Sequence, residues 1–102
     1  MPAKYRAIPV VIDGHRFPSK KEGKRYGELK LLEQAGKISD LKLQPPFDLH
    51  VNGVKVCFYK GDFSYVENGV RVIEDVKGVK TPMYRLKRKM MRAEYGIEIR
   101  ET

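Results

Sequence analysis

Two aspartates and a lysine stand in the sequence at spacings that suit phosphate chemistry. Asp62 follows Gly61 at the start of one strand-like segment, and Asp75 and Lys77 end the next such segment with one residue between them. Mg²⁺ prefers oxygen ligands and commonly takes one or two protein carboxylates, with water and phosphate oxygens completing its shell. A lysine beside such an ion can stabilise charge that develops on phosphate oxygens. The three residues therefore predict a site for metal-assisted phosphodiester hydrolysis.

The segment from residue 61 to residue 76 is predicted to form the hairpin that positions both aspartates. Two runs rich in β-branched and aromatic residues flank Asn68-Gly69, the strongest short-range signal for a two-residue type I′ turn. In that register Asp62 faces Asp75, and Lys77 shares their face because side chains alternate along a strand. The opposite face carries residues expected in the core: Phe63, Tyr65, Val70, Val72 and Val76.

Two acids placed opposite each other in a ladder repel, and a bound cation would relieve that repulsion. An alternative register stays open, because a three-residue turn with a bulge at Gly69 would bring Glu74 opposite Asp62. The acid-any-lysine spacing favours Asp75 over Glu74.

A helix is predicted before this hairpin, over residues 20–35. Ser19 is a suitable N-cap, Glu22 completes a capping box three residues later, and Gly36 provides the stop. Gly23 and Gly27 lower the intrinsic helix propensity and permit a close approach to a neighbouring element.

The other predicted elements come from turn signals and hydrophobic periodicity. They are a hairpin of residues 8–12 and 15–17, strands at 41–44, 47–51 and 54–58, a helix at 82–95, and a strand at 97–99. The second helix has Thr81 as its N-cap and Gly96 as its stop. One face of this helix is predicted to enter the core: Met83, Leu86, Met90 and Ala93.

The charge of the chain favours an anionic polymer as partner. Lys and Arg outnumber Asp and Glu by 21 to 13, which gives a net charge of +8 and a pI near 9.7. The second helix and the segment before it carry most of the basic residues expected to contact phosphates: Lys80, Arg85, Lys87, Arg88, Lys89 and Arg92. Lys20 and Lys21 open the first helix and join this set. Phosphate contacts do not choose between DNA and RNA, so RNA stays open as a substrate.

The length and the cysteine content limit the number of domains and the cellular compartment that we expect. The 102 residues suit one domain over residues 1–102, and the single Cys57 fits a reducing compartment and a place in the core. Residues 1–13 lack the apolar stretch of a signal peptide, and no apolar run is long enough to span a membrane. We therefore expect a soluble cytoplasmic protein. His15 and His50 are expected at the surface.

These residues resemble the PD-(D/E)XK nucleases, whose signature is an acid on one strand and acid-any-lysine on the next. Asp62 and the Asp75-Val76-Lys77 segment match this pattern, whereas Gly61 replaces the usual proline. The order helix, hairpin, acid-any-lysine, helix and strand is similar to the family's αβββαβ core over residues 19–100. The resemblance implies an α+β (α/β-type) restriction-endonuclease-like fold, with a central mixed β-sheet flanked by helices.

The resemblance also implies an activity and further site residues. It implies a Mg²⁺-dependent DNA endonuclease, with Mn²⁺ able to substitute, in which Asp62 and Asp75 bind metal and Lys77 assists catalysis. The family commonly adds an acid from the first helix as a metal ligand. Glu22 matches that position and Glu28 is the next candidate, although the capping box alone also accounts for Glu22. Gln44 resembles a further family position near the site.

The small phage-encoded members that the chain resembles are similar to Holliday-junction resolvases and endonuclease I-type enzymes. Branched DNA is therefore the expected substrate, in a bacterial host's cytoplasm. Paired cuts across a two-fold junction need two active sites, so a homodimer is expected. Two alternatives remain: a nicking or structure-specific endonuclease acting on other DNA, and a non-catalytic basic DNA-binding accessory protein.

Overall fold

The structure, a computed structural model, describes residues 8–102. Within this range the chain forms an α+β fold of eight strands and two helices. In chain order the elements are β1 (Val10–Ile12), β2 (His15–Phe17), α1 (Lys20–Gln34), β3 (Ser39–Leu43), β4 (Pro46–Val51), β5 (Val54–Lys60), β6 (Phe63–Glu67), β7 (Val70–Asp75), α2 (Pro82–Tyr95) and β8 (Arg100–Glu101). The expected lack of a signal peptide in residues 1–13 falls largely outside the described residues.

The centre of the fold is a four-stranded mixed sheet in the order β3-β6-β7-β8. β3, β6 and β7 are antiparallel neighbours, and β8 returns through α2 to pair in parallel with β7. Two separate antiparallel hairpins accompany this sheet, one of β1 and β2 and one of β4 and β5. The second hairpin lies in the sequence between the first two strands of the central sheet.

The register predicted for the β6–β7 hairpin is confirmed from Glu67–Val70 to Phe63–Glu74. The predicted Asp62–Asp75 pair lies beyond this ladder, because the Asp62 N–H donates to the Glu74 carbonyl. Asn68 and Gly69 have φ angles of 52° and 78°, as a type I′ turn requires at both of its central residues. Glu67 pairs with Val70, and the ladder runs to Phe63 opposite Glu74. The bulged alternative, which would have placed Glu74 opposite Asp62, is therefore wrong.

Both faces of the central sheet are covered, whereas the hairpin pattern predicted a core on one face only. The face toward α1 holds the first cluster of buried residues: Phe17, Tyr26, Leu29, Ile38, Phe63 and Tyr65. The other face holds the second cluster, formed with α2 and the β4–β5 hairpin: Leu49, Tyr59, Ile73, Tyr84, Met91 and Ile99. The face of the sheet that carries Asp75 is therefore also packed, and the site must open at its edge.

The start of α1 follows its predicted local signals. The Ser19 hydroxyl accepts a hydrogen bond from the Glu22 N–H at 3.1 Å, as an N-cap does. A side chain at Gly23 would meet Val10 at 2.5 Å, so this glycine allows β1 to approach the helix. Gly27 has no atom within 4 Å of the corresponding position, so close packing is confirmed only at Gly23.

The face predicted for α2 is wrong. Met83 and Leu86 are 58% and 52% exposed, whereas Tyr84 and Met91 are buried. Residues 84 and 91 are two helical turns apart and therefore also share a face of the helix. The buried Tyr84 hydroxyl still has a hydrogen-bond partner, because it donates to Glu101 at 2.7 Å. Of the predicted set, Met90 is partly buried against the second cluster, and Ala93 is exposed.

The final strand also differs from its prediction. It is Arg100–Glu101 rather than residues 97–99, because the parallel ladder pairs Glu74 with Arg100 and Asp75 with Glu101. Ile99 instead packs into the second cluster. Neither described helix combines the length and apolar character needed to cross a membrane.

Candidate active site

Asp62 lies immediately before β6 and is held by its backbone and its side chain. Its N–H donates to the Glu74 carbonyl at 3.0 Å, and its own carbonyl accepts from the Gln44 N–H at 3.0 Å. The carboxylate Oδ2 accepts from the Val76 N–H at 2.7 Å. These bonds place Asp62 at the end of the hairpin far from its turn, beside the last residues of β7.

Gly61, which replaces the proline of the resembled motif, lies in a tight position. A Cβ at Gly61 would lie 3.0 Å from Cγ2 of Ile73 and 3.4 Å from Cγ of Pro45. A larger residue would therefore push against the neighbouring strand. The glycine lets the chain enter β6 close to β7.

Asp75 ends β7 and its side chain is buried. Its Oδ2 accepts a hydrogen bond of 2.5 Å from the Tyr59 hydroxyl, and its Oδ1 lies 3.0 Å from the Lys77 Nζ. Burial raises the pKa of Asp75 and the nearby charge of Asp62 adds to the rise, while the bonds from Tyr59 and Lys77 oppose it. Tyr59 and Lys77 therefore hold the Asp75 carboxylate in place, one at each of its oxygens.

Glu22 joins this group from the first turn of α1. The residue is 4% exposed, and its Oε2 is buried without a hydrogen-bond partner. A buried carboxylate oxygen that lacks a donor costs free energy unless a proton or a cation occupies it. The Ser19 cap bonds the backbone N–H of Glu22, and the side-chain Oε2 takes no part in that bond.

The three carboxyl groups influence one another through Asp62. Burial and the nearby carboxyl of Glu22 together raise the pKa of Asp62 to about 7, although the Val76 N–H and the Asp75 side chain act in the opposite direction. The negative charge of Asp62 in turn raises the pKa of Asp75. Such a cluster is stable when a proton or a cation offsets part of its negative charge.

The carboxyl oxygens of Glu22, Asp62 and Asp75 are of the donor type that Mg²⁺ and Mn²⁺ bind. Within residues 8–102, no group of three or more His, Cys, Asp or Glu side chains is already spaced as a metal-binding cluster. Mg²⁺ does not require such a cage, because one or two carboxylates with water and phosphate oxygens complete its shell. The orphaned Oε2 of Glu22 and the raised pKa of Asp62 both mark a place where a proton or a cation would lower the free energy.

The Lys77 side chain is fixed by its neighbours at the wall of the cleft, where it could bind an anion. Its Nζ lies 4.0 Å from the centroid of the Tyr84 ring, and its backbone carbonyl accepts a 2.9 Å hydrogen bond from Lys21. The ring of Tyr84 and the carboxylate of Asp75 together restrict the side chain, which is 23% exposed. An ordered lysine of this kind loses little further freedom when it contacts a phosphate.

Two clefts meet at Asp62. One, of about 330 Å³, is lined by Asp62, Asp75 and Lys77 together with side chains of β5 and α2. The other, of about 270 Å³, is lined by Asp62, Glu22 and Gln44 and by residues of the β1–β2 hairpin. The acidic side chains therefore open to solvent on two sides of Asp62.

Comparison with known proteins gives one family match. Residues 2–102 match the family model described as "Protein of unknown function (DUF1064)". The chain belongs to this family. No curated protein and no solved structure matches the chain.

The basic residues predicted to bind nucleic acid fall into three environments in this DUF1064 chain. Lys80 and Arg88 pair with Glu101 at 3.1 Å and 3.0 Å, so part of their charge is already neutralised. Lys87 lines the cleft that holds Asp75. The others are exposed at the surface of the two helices: Lys20, Lys21, Arg85, Lys89 and Arg92.

The remaining candidates from the sequence are placed as follows. Glu28 is half-exposed beside Arg25, whereas Glu22 points to Asp62, so α1 presents Glu22 to the site.

Gln44 lines the cleft on the Glu22 side. Cys57 is partly buried against the second cluster, which agrees with its predicted core position.

Both histidines are exposed, as predicted. His15 packs its ring at the edge of the Tyr26 ring, and His50 lies 2.6 Å from Glu94. Neither lines the cleft that holds Asp75.

The residues that sequence reasoning missed are those that support Asp75 and Lys77 in this DUF1064 chain. Tyr59 and Tyr84 contact these side chains from β5 and α2. The alternation along β5 could have placed Tyr59 on the same face as Cys57, but not against Asp75. That contact depends on how the β4–β5 hairpin packs on the central sheet, which no local pattern specifies.

Proposed function

We propose that this protein is a Mg²⁺-dependent endonuclease that hydrolyses DNA phosphodiester bonds, with Mn²⁺ able to replace Mg²⁺. The observation that carries the proposal is the carboxyl cluster of the buried Glu22 and Asp75 with the partly buried Asp62, and Lys77 is ion-paired with Asp75 at its edge. A protein under no functional constraint has little reason to keep three acids so close.

The chemistry follows from the donor types in the cluster. When bound, a Mg²⁺ ion would polarise the scissile phosphate and lower the pKa of a coordinated water. Asp62 and Asp75 are the carboxylates proposed to hold it, with Glu22 as a third ligand. Asp62 is fixed for this role by the Val76 N–H, and Asp75 by the Tyr59 hydroxyl.

Lys77 is proposed to bind the phosphate and to stabilise the charge that develops on its oxygens. The pairing with Asp75 at 3.0 Å and the Tyr84 ring beneath it keep the ammonium group at the cleft. Such preorganised charge favours the transition state because the side chain need not reorganise during the reaction.

The order of the elements supports a nuclease of the PD-(D/E)XK type. If the β4–β5 hairpin is regarded as an insertion, the chain from α1 to β8 reads helix, three strands, helix, strand. Asp62 immediately precedes β6, and Asp75 ends the neighbouring strand β7. This order supports the restriction-endonuclease-like core that the motif resemblance implies. A fold alone does not define an activity, so the proposal depends on the cluster.

The proposed substrate is branched DNA, and the proposed active form is a homodimer in which each copy cuts one strand. The net charge of +8 favours a polyanion. Lys87 of α2 lines the cleft, and the exposed lysines and arginines at the start of α1 and along α2 are proposed to contact the DNA backbone.

Cleavage of labelled DNA tests this function. We expect the purified chain to cut a branched substrate with Mg²⁺ or Mn²⁺, not with EDTA, and Asp75→Asn to bind the DNA without cutting it. Asp40→Asn is the matched control, because Asp40 is an exposed aspartate at the far end of the central sheet, paired with Arg71. Full activity of Asp75→Asn with Mg²⁺ would overturn the proposal.

The same cleavage assay distinguishes the proposed function from the alternatives. Equal cutting of linear duplex and branched DNA would indicate a nicking or general endonuclease instead of a junction enzyme. Binding without cutting by the unmodified chain, under every metal condition, would indicate a non-catalytic DNA-binding module. An RNA copy of the substrate tests the sugar preference.

A further inference from the structure

Phe58 is an exposed aromatic residue in the wall of the cleft that holds Asp75. It lies on the outward face of β5 and is 53% exposed. The same cleft of about 330 Å³ is lined by Phe58, Asp62, Asp75 and Lys77. The ring is therefore presented to whatever molecule enters the site.

The charges around Phe58 define what that molecule can be. The Nζ of Lys87 lies 5.3 Å from the centroid of the Phe58 ring, and Lys60 and Lys77 line the same cleft. An aromatic ring flanked by several cations suits a ligand with both a flat π-face and a negative charge. A nucleotide has both features, whereas an apolar peptide has no charge to match the lysines.

The position of the ring restricts the structure of the nucleic acid. In a continuous duplex each base is covered on both faces by its neighbours, so a protein ring cannot stack on it without separating them. A base that is unpaired, at a branch point or in a single strand, offers a free face. Stacking of such a base on an aromatic side chain stabilises the complex and tolerates any sequence.

We propose that Phe58 stacks on an unpaired base next to the scissile phosphate, with Lys87 binding the adjoining backbone, so that the site selects strands that leave the duplex. The inference rests on the nuclease function proposed above and narrows its substrate class. Phe58 is here a specificity-determining residue that touches the substrate but takes no part in bond cleavage.

Val56 provides a matched control for Phe58. It is on the same strand and the same face, two residues away, and its exposure of 54% is nearly equal. Unlike Phe58, Val56 does not line the cleft. A general loss of exposed apolar surface would affect both variants, whereas base stacking would affect only Phe58.

Binding measured without cleavage tests the inference. The Asp75→Asn protein in EDTA would be titrated into oligonucleotides that carry 2-aminopurine either in a single-stranded arm beside a branch or inside a continuous duplex. We expect quenching of the unpaired probe, loss of that quenching and about tenfold weaker binding in Phe58→Ala, and retention of both in Phe58→Tyr. Val56→Ala should behave as its parent, and duplex affinity should be unchanged in every variant.

The outcomes distinguish the inference from the nuclease function. Unchanged quenching in Phe58→Ala, or an equal loss of affinity for duplex and branch, overturns the stacking role even if the unmodified chain cuts DNA. Quenching that depends on Phe58 in a protein that never cuts with Mg²⁺ overturns the nuclease function and leaves base stacking in place. If Phe58→Ala changes the sedimentation coefficient from dimer to monomer without altering the quenching, Phe58 is a subunit contact and the inference is wrong.

Discussion

Glu74 and Asp75 are consecutive in β7, yet their carboxylates lie on opposite faces of the central sheet. Glu74 is fully buried toward α1, where Arg25 donates to both of its oxygens at 2.6 Å and 2.9 Å. Although burial alone would raise the pKa of Glu74, the bonds from Arg25 and Tyr65 hold it below its usual value. Asp75, whose pKa is raised by burial, faces the cleft with Lys77. Glu74 is therefore held in an internal ion pair, whereas Asp75 lines the cleft.

The two neighbours should therefore respond differently to loss of charge. We expect Glu74→Gln to lower the free energy of unfolding by about 3 kcal/mol, because it leaves the Arg25 guanidinium without its buried partner. Asp75→Asn should keep its stability, since the charged form of Asp75 is itself disfavoured in the folded protein, and should lose cleavage. Urea unfolding followed by circular dichroism and a cleavage assay measure the two effects. Loss of cleavage in properly folded Glu74→Gln would contradict the division of roles.

The stability of the metal-free protein should depend on pH through Asp62. The pKa of this carboxyl is about 7 in the folded protein and 3.8 is its ordinary value, so the folded state binds the proton more tightly. The contribution of Asp62 to stability is therefore fully present below about pH 4 and is lost as the pH rises through about 7. Melting temperatures in EDTA at pH 5 and pH 8 measure this loss, which Asp62→Asn should reduce. Parallel curves for the two proteins would contradict it.

Glu22 and Glu28 both lie on α1, and replacing each in turn tests which of them is a metal ligand. We expect Glu22→Gln to weaken Mn²⁺ binding by about tenfold or more, because it removes the charge of the buried carboxylate whose Oε2 has no protein partner. The helix should be retained, since Ser19 caps the backbone N–H of residue 22. Glu28→Gln, at a half-exposed position beside Arg25, should bind as the unmodified chain does. Calorimetric titration would refute the assignment if both variants bound Mn²⁺ normally.

The salt dependence of DNA binding should identify which lysines contact phosphate. Lys87→Ala should weaken binding to all sequences equally and reduce the slope of log K against log salt concentration by about 1. Lys30→Ala is the control, because Lys30 pairs with Glu33 on α1 at 3.2 Å and lies outside the cleft. Filter binding or anisotropy at several salt concentrations gives the slopes. An unchanged slope in Lys87→Ala would remove Lys87 from the interface.

Gly23 and Gly27 are expected to respond in opposite directions to replacement by alanine. Gly27→Ala should raise the free energy of unfolding by roughly 0.5–1 kcal/mol, because alanine favours the helix and its Cβ meets no atom within 4 Å. Gly23→Ala should lower it by about 1–3 kcal/mol, since its Cβ would lie 2.5 Å from Cγ2 of Val10. Chemical denaturation of both variants measures the difference. A stabilised Gly23→Ala would show that β1 moves aside easily.

Several parts of the fold could be predicted because they depend on residues close together in the chain. The Asn68-Gly69 turn sets the register of β6 and β7, and this register brings Asp62 to the end of the hairpin beside Asp75. The Ser19 cap begins α1 for the same reason, through a hydrogen bond that spans three residues. Short-range hydrogen bonds and backbone preferences act before any distant segment is in place, so they can be recognised in the sequence.

Other features were decided only by the tertiary structure. The sequence predicted the wrong face of α2, because Met83 and Leu86 have the same helical spacing as residues that do pack, and only contact with the second cluster selected Tyr84 and Met91. The approach of Glu22 to Asp62 depends on how α1 lies over the sheet.

The support that Tyr59 gives Asp75 likewise depends on the packing of the β4–β5 hairpin. The sequence alone therefore determined the local β6–β7 hairpin and which acids and which lysine are candidates for chemistry. Packing between segments far apart in the chain decided their burial, their partners and their pKa values, because burial and electrostatic interaction depend on distance in space and not on distance along the chain.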